Sequence, residues 1–246
     1  MSPIVEAHDL HVGAGAARLL RNVALTVMPG ERLALVGHNG AGKSTLLRAL
    51  SGFATVTQGT LRVLDTELNR APRASTLRRL RRRVALVHQG LHLVDRLSAL
   101  DNVLVASAGR HGSPLSWIRY WPEAERHGAM AALDSVGMAW AAARRSDSLS
   151  GGERQKVAIA RALHQDAPIV LADEPTASLD ANAAEEIAGL LASVVAERGA
   201  TLICVVHDLD LVPRLAQRAI VLRHGRTVAD VAVTPATPTQ LRPLLQ

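Results

Sequence analysis

A chain of 246 residues with 48% hydrophobic content is long enough to bury a substantial core, as one large α/β domain or two small ones. Its single cysteine, Cys204, excludes an intramolecular disulfide and any cysteine-based zinc framework, which suits a reducing compartment. The net charge of +6 favours an acidic partner, but Phe53, Trp117, Tyr120, Trp121 and Trp140 are too few for the base-stacking platform of a single-strand binder, and no nucleic-acid partner is expected.

In chain order, the N-terminus MSPIVEAHDL has an acidic residue and a histidine where an export signal needs basic residues and an apolar core, so export is not expected. No uncharged apolar run reaches the ~18 residues of a membrane span, and a soluble protein able to dock on a membrane partner is expected. Residues 4–12, 22–28 and 31–37 read as strands; the last is a buried-type run followed by a Gly-rich turn and an apolar helix from Ser44 to Leu50. Further strand-like runs lie at 59–64, 83–88, 168–172, 201–206 and 218–223, with helical segments near 183–197 and 208–216. This alternation implies a largely parallel sheet covered on both faces. Between about 90 and 165 helical segments take over, near 99–108, 122–136 and 152–164, and read as a helical subdomain inserted into the α/β core formed by about 1–89 and 166–246. The run Arg78-Arg79-Leu80-Arg81-Arg82-Arg83 has three readings: a solvated helix face, a phosphate or nucleic-acid contact, or a contact with anionic lipid. Cys204, inside Thr201-Leu-Ile-Cys-Val-Val206, reads as a small buried hydrophobe, and the last dozen residues as poorly ordered or a short surface cap.

Gly37-His38-Asn39-Gly40-Ala41-Gly42-Lys43-Ser44 satisfies G-x-x-x-x-G-K-[ST] after a strand and before a helix that continues with Thr45. The glycines let backbone N–H groups converge on phosphate oxygens, Lys43 meets the outer phosphates, and Ser44 can ligate Mg²⁺. Asp173 and Glu174 end an apolar strand, where ligands of open α/β sheets collect. In nucleotide hydrolysis Asp173 suits Mg²⁺ and Glu174 the general base. His207 and Gln89 stand at two further strand ends. Ser150-Gly151-Gly152-Glu153 opens a helix as a second phosphate loop would, and equally as a serine N-cap with Glu153 completing a capping box.

In this order, the phosphate loop, Gln89, Leu149-Ser-Gly-Gly-Glu153, Asp173-Glu174, Ser178-Leu-Asp180 and His207 resemble the motifs of ATP-binding subunits of ABC transporters over essentially the whole chain. The resemblance implies a P-loop NTPase core of α/β class with a largely parallel sheet, an N-terminal antiparallel β-subdomain and the inserted helical subdomain, forming a single ATP-binding domain over 1–246. It implies ATP and Mg²⁺ as ligands, with Gln89 sensing Mg²⁺ and water, His207 contacting the γ-phosphate and Asp180 lying across a dimer interface. Two such subunits, here most simply a homodimer, would face head to tail, so that Ser150, Gly151 and Gly152 of one chain close on ATP held by the other. Integral membrane permease subunits and a separate solute-binding protein would complete the machine, with this chain peripheral on the cytoplasmic face of the inner membrane.

Leu93 to Val103, the stretch Gly109 to Trp121 and the helix 123–137 look like those of phosphonate-importer ATP subunits, although the stretch could simply cap the helical subdomain. Gln89, residues 91–103 and the loop with Trp117 and Trp121 are the expected permease contacts, the tryptophans serving either as a docking surface or as a small local core. One departure stands out: His11-Val-Gly-Ala-Gly-Ala-Ala-Arg18 lacks the aromatic residue on which the family usually stacks adenine. Weaker or less base-selective nucleotide binding is therefore expected, with His11 or Arg18 as substitutes. The alternatives are a soluble, non-transporting ABC ATPase such as an accessory protein of phosphonate breakdown, an importer motor for another polar solute, or a small-molecule P-loop kinase, which would leave LSGGE without a use.

Overall fold

The computed structural model describes residues 2–14, 17–69, 72–111 and 121–245, apart from the side chains of residues 14, 17, 18, 110 and 111. Among them, strands form two sheets. The larger has the order β10-β9-β3-β8-β7-β6. Strands β3 (Arg32–Val36), β6 (Val84–Val87), β7 (Ile169–Asp173), β8 (Thr201–Val205) and β9 (Arg218–Arg223) run parallel, and β10 (Arg226–Ala232) closes one edge antiparallel to β9. The smaller sheet, β2-β1-β4-β5, is antiparallel and comprises β1 (Val5–Ala14), β2 (Ala17–Val27), β4 (Val56–Val63) and β5 (Thr66–Glu67). The expected fold class therefore stands: a largely parallel sheet beside an antiparallel N-terminal one.

Strand periodicity divides the core in two, because successive side chains leave a strand on opposite faces. Leu33, Leu35, Ile169, Leu171, Ile203, Val205, Ile220 and Leu222 pack toward the smaller sheet and the helix α1 (Lys43–Leu50). Ala34, Val36, Val170, Ala172, Leu202, Cys204, Ala219 and Val221 pack toward helices on the other side. With both faces buried, these strands read as continuous apolar runs, which is why they were visible without alternation. Cys204 is fully buried, and burial pushes its thiol far above the ordinary range.

The chain between β6 and β7 contains no strand among the described residues. There α3 (Ala99–Leu104), α4 (Ala108–His111), α5 (Glu123–Ser135) and α6 (Gly151–His164) pack on one another. The tryptophan loop divides: Trp117 and Tyr120 lie outside the described residues, whereas Trp121 is buried in the helical core. For Trp121 the local-core alternative is correct and the exposed docking role is not.

Several elements differ from the sequence reading. Strand β2 begins five residues before the expected 22, because Asn22 takes a left-handed conformation (φ 52°) at an irregularity that breaks the alternation. Strand β10 was not anticipated; its half-exposed alternation is joined to β9 by His224-Gly225, both at positive φ, the two-residue hairpin turn for which a glycine in second place is the signal. The expected helix 208–216 is a 3₁₀ turn, Leu209–Leu211, followed by α8 (Val212–Leu215). The C-terminal stretch forms α9 (Thr237–Leu241), a surface cap anchored by the fully buried Leu241. The arginine run lies in and just beyond α2 (Ala74–Arg82), a helix whose only buried residue is Leu80. It is not merely solvated: Arg81 covers the Phe53 ring and donates to the Gly52 carbonyl, and Arg78, Arg81 and Arg82 line a cavity of about 270 Å³ with Ala106, Gly109 and Gln165.

The sheets are tied by one side chain. Arg218 on β9 donates to the Thr26 carbonyl of β2 (2.9 Å), to Glu31 (2.8 Å) and, through two nitrogens, to Asp230 of β10 (2.6 and 2.8 Å). Charge-assisted bonds of this kind leave two carboxylates and a carbonyl without their donor when the arginine is removed. Arg218→Ala should lower unfolding stability by about 2 kcal/mol, measured as a fall in urea midpoint at unchanged denaturant slope.

Candidate functional site

Four strand ends meet along one edge of the larger sheet. Strand β3 runs into the loop Gly37–Thr45, β7 ends at Asp173 and Glu174, His207 follows β8, and Gln89 follows β6. Steric necessity shapes the loop. A Cβ on Gly37 would stand 2.3 Å from the Leu222 carbonyl oxygen, and Gly42, at φ 105°, would bring one within 2.5 Å of Leu20. Only glycine permits both approaches, and Gly42 at the N-cap leaves the first N–H groups of α1 free for an anion.

Lys43 is buried, and its ammonium donates to the carbonyls of Gly37 (2.6 Å) and His38 (2.9 Å). Burial pulls its pKa below the ordinary lysine value, while Glu174 and Asp173 act in the opposite sense. Asp173 shifts the other way. Burial pushes its carboxyl above the ordinary range and repulsion by Glu174 adds to this, against the hydroxyl of Ser44, which donates to Asp173 Oδ1 at 3.1 Å.

Glu174 is the point of convergence. Its backbone is left-handed (φ 53°), a strained state for a residue with a side chain, which persists only where the surroundings fix it. Here its carboxylate is gripped from both sides: Oε1 lies 2.6 Å from His207 Nε2, and Oε2 accepts from Gln89 Nε2 at 2.8 Å. Beside it opens a cleft of about 390 Å³ lined by Leu19, Asn39, Gly40, Ala41, Gly42, Lys43, Ser44, Thr45 and Glu174.

Ser150 and Asp180 belong to another place. Ser150 N-caps α6, accepting from the Glu153 N–H at 3.3 Å while its own N–H donates to the Glu153 carboxylate at 2.7 Å, a complete capping box. Asp180 caps α7 (Ala181–Glu197), accepting from the Ala183 N–H at 3.0 Å. Ser150, Gly151, Gly152, Lys156, Ser178 and Asp180 line a second cleft that shares none of its lining residues with the first. The two helix N-termini therefore do not converge on one ligand within the chain.

Of the adenine substitutes, His11 does not line the first cleft and the side chain of Arg18 lies outside the described residues. The missed residue is Leu19, 42% exposed on β2 at the cleft wall. No motif marks it; only the fold brings β2 beside the loop. Arg161 was also missed. From α6 it donates to the carbonyls of Leu91 and His92, both at positive φ, and so pins the turn that carries Gln89.

The family model described as ABC transporter matches residues 20–177. The chain is 43% identical to the phosphonates import ATP-binding protein PhnC of Frankia casuarinae, over 89% of this chain and 86% of that protein. It is 46% identical to the phosphonates import ATP-binding protein PhnC of Nocardia farcinica, over 88% and 80% respectively. A relative from Mycolicibacterium smegmatis, 45% identical over 92% of this chain and 86% of its own length, is named a phosphate-import ATP-binding protein. Among solved structures, the dimeric post-hydrolysis state of the ATP-binding cassette MJ0796 bound to ADP and Pi superposes with a TM-score of 0.80 at 30% identity, covering 94% of this chain and 99% of that one.

The raised pKa of Asp173 has a definite sign. The folded chain holds that proton more tightly than the unfolded one, so the contribution of Asp173 to stability declines as pH rises through the window from the ordinary carboxylate value to the raised one. Asp173→Asn removes the decline while keeping an acceptor for Ser44. Without nucleotide, the variant should melt at a higher temperature than the parent at pH 7, and the gain should vanish as pH falls toward about 4, read by scanning fluorimetry across pH.

Proposed function

The chain belongs to the ABC transporter family and is an ATP-hydrolysing cassette, and from that membership we propose that it is the motor subunit of an importer for phosphonate or a closely related phosphorus oxyanion. One observation carries the catalytic part: the Glu174 carboxylate held between His207 and Gln89, beside the loop that presents Lys43. In this reading the N–H groups of Gly40 to Thr45 cradle the phosphates of ATP. Lys43 exchanges its bonds to the Gly37 and His38 carbonyls for phosphate oxygens, with little cost because the cation is already desolvated. Glu174 accepts the proton of the attacking water, His207 orients that carboxylate and reaches the γ-phosphate, and Gln89 closes the water's far side.

The residues present fit Mg²⁺. The Ser44 hydroxyl and Asp173 carboxylate are hard oxygen donors already paired at 3.1 Å, with Gln89 on the same edge. When bound, the ion would neutralise charge on the phosphate oxygens.

The separation of the two clefts supports a paired machine. Ser150, Gly151 and Gly152, at the N-terminus of α6, would close on ATP held by a second copy of the chain, with Asp180 at the seam; the dimeric MJ0796 cassette is consistent with this. No described helix is long and apolar enough to cross a membrane. In this reading, which follows from the import relatives, the motor acts from the cytoplasmic face on permease subunits, fed by a separate solute-binding protein. Gln89, residues 91–103 and the arginine-lined cavity beside α2 offer the permease a surface suited to an acidic cytoplasmic segment.

A second reading, import of inorganic phosphate, is favoured by the name of the M. smegmatis relative. Uptake of radiolabelled methylphosphonate and of phosphate by membranes containing the permease decides between them: methylphosphonate uptake largely suppressed by phosphate at equal concentration would favour the second. Copurification with the permease tests the motor role itself, and a chain that never associates with membrane subunits would overturn it. For the chemistry, Glu174→Gln should keep nucleotide binding and lose about 10²-fold or more in turnover, measured as phosphate release; retained hydrolysis would move the base elsewhere.

A further inference from the structure

Of the residues on the catalytic edge, Gln89 is the one the sheet supports least. Its strand, β6, is the last of the larger sheet and pairs only with β7 among the described residues, whereas β3, β7 and β8 each have a strand on both sides. Support comes instead from α6, whose side chains reach both ends of β6. At the start of the strand Gln165, the C-cap of α6, donates through its amide to the carbonyls of Arg81 (2.8 Å) and Val84 (3.1 Å). Beyond the end of the strand Arg161, about one turn earlier on the helix, donates to the carbonyls of His92 (2.7 Å) and Leu91.

The second contact falls on a strained turn. Leu91 and His92 are both left-handed (φ 56° and 50°), a costly state for residues with side chains that persists only where the surroundings fix it. Inside the turn the Leu91 N–H donates to the His88 carbonyl (2.9 Å) and the His92 N–H to that of Gly90 (2.6 Å), and the rings of His88 and His92 lie with centroids 4.5 Å apart. Nearer the N-terminus of α6 there is room for the turn to shift. A cleft of about 310 Å³ is lined there by Gln89, Gly90 and Leu91 from the turn and by Gly151, Arg154 and Gln155 from the helix. Arg161 is costly where it stands, since burial pulls its guanidinium below the ordinary arginine range and no carboxylate pairs with it among the described residues. Its fixed fork can meet two consecutive carbonyls at once, which accounts for a cation in that place.

We propose that Arg161 is a positioning residue for hydrolysis: by fixing the carbonyls of Leu91 and His92 it sets where Gln89 stands, and through Gln89 it holds the Glu174 carboxylate for the attacking water. The inference rests on the catalytic reading of Glu174 and Gln89 above. Arg161 lines neither the phosphate-loop cleft nor the cleft at the N-terminus of α6, so its loss leaves nucleotide binding intact. Gln89 meets Glu174 through a single 2.8 Å bond to Oε2, and a shift of the turn by about 1 Å breaks such a bond. The Oε1 side stays with His207, so the carboxylate keeps one anchor and turnover falls without vanishing.

The test uses the full chain, with turnover measured as phosphate release. Arg161→Met keeps an apolar stem and removes the donors together with the buried charge. Its kcat should fall about tenfold with the KM for ATP within about twofold, and Arg161→Lys, which can reach one carbonyl, should restore part of the rate. In the double variant Gln89→Ala/Arg161→Met the rate should equal that of Gln89→Ala alone, since one route carries both effects. Hydrogen exchange without nucleotide gives a readout apart from activity: peptides covering 88–95 should exchange faster in Arg161→Met, while those covering β7 and β8 stay protected. If the methionine variant does not fold, Arg161→Lys carries the same comparisons. Parental kcat in a folded Arg161 variant beside a slow Gln89→Ala, unchanged exchange at 88–95, or losses that multiply in the double variant would each overturn the positioning role and leave the catalytic reading standing. Gln89→Ala at the parental rate would overturn the catalytic reading of Gln89 and the positioning role with it.

Discussion

A buried ammonium organises the working edge of this fold. Lys43 lies at the first turn of α1, removed from water, and its charge must be balanced by what the strand ends deliver. Two backbone carbonyls accept its hydrogen bonds, and two carboxylates at the end of β7, Asp173 and Glu174, stand within its field. The same burial acts in opposite senses on the partners, disfavouring the charged lysine and the charged Asp173 alike. Such a site is poised, since the ligand that best resolves it brings its own negative charge together with a cation. The parallel sheet supplies the geometry, because only strands running the same way end on the same edge.

Around that edge, α6 has two attachments. At its N-terminus the capping box closes the free N–H groups on Ser150 and Glu153. About three turns later Arg161 grips the strained turn that carries Gln89, and Gln89 in turn holds Glu174. One rigid helix thus connects the surface that would meet a partner's phosphate to the side chain that sets the orientation of the base. The helix runs unbroken from Gly151 to His164, so both attachments belong to one element.

What the sequence made legible was local. A loop that follows a buried strand, an acid pair at a strand end and a serine three residues before a glutamate each draw their meaning from a few neighbouring positions, and the parallel strands were visible because burial on both faces leaves unbroken apolar runs. What it concealed depends on segments far apart in the chain. Leu19 reaches the cleft only because β2 passes beside the loop, and Trp121 is buried only because it joins the core shared by the helical segments. The left-handed backbone at Glu174 has no compositional mark, and the two groups that hold its carboxylate, His207 and Gln89, come from distant strand ends. Strand β10 was hidden for a smaller reason: half-exposed and polar on one side, it lacks the apolar run that revealed its neighbours, and only the His-Gly turn before it gave a signal.

Cys204 sits fully buried in β8 between two layers of core, with a thiol held in its neutral form. It is the only cysteine in the chain. A chain whose one sulfhydryl is shielded from reagents is a natural background for site-directed labelling. A cysteine introduced at any exposed position would be the one reactive thiol, and fluorophores or spin labels could report distances between two copies without first removing a native residue from the core.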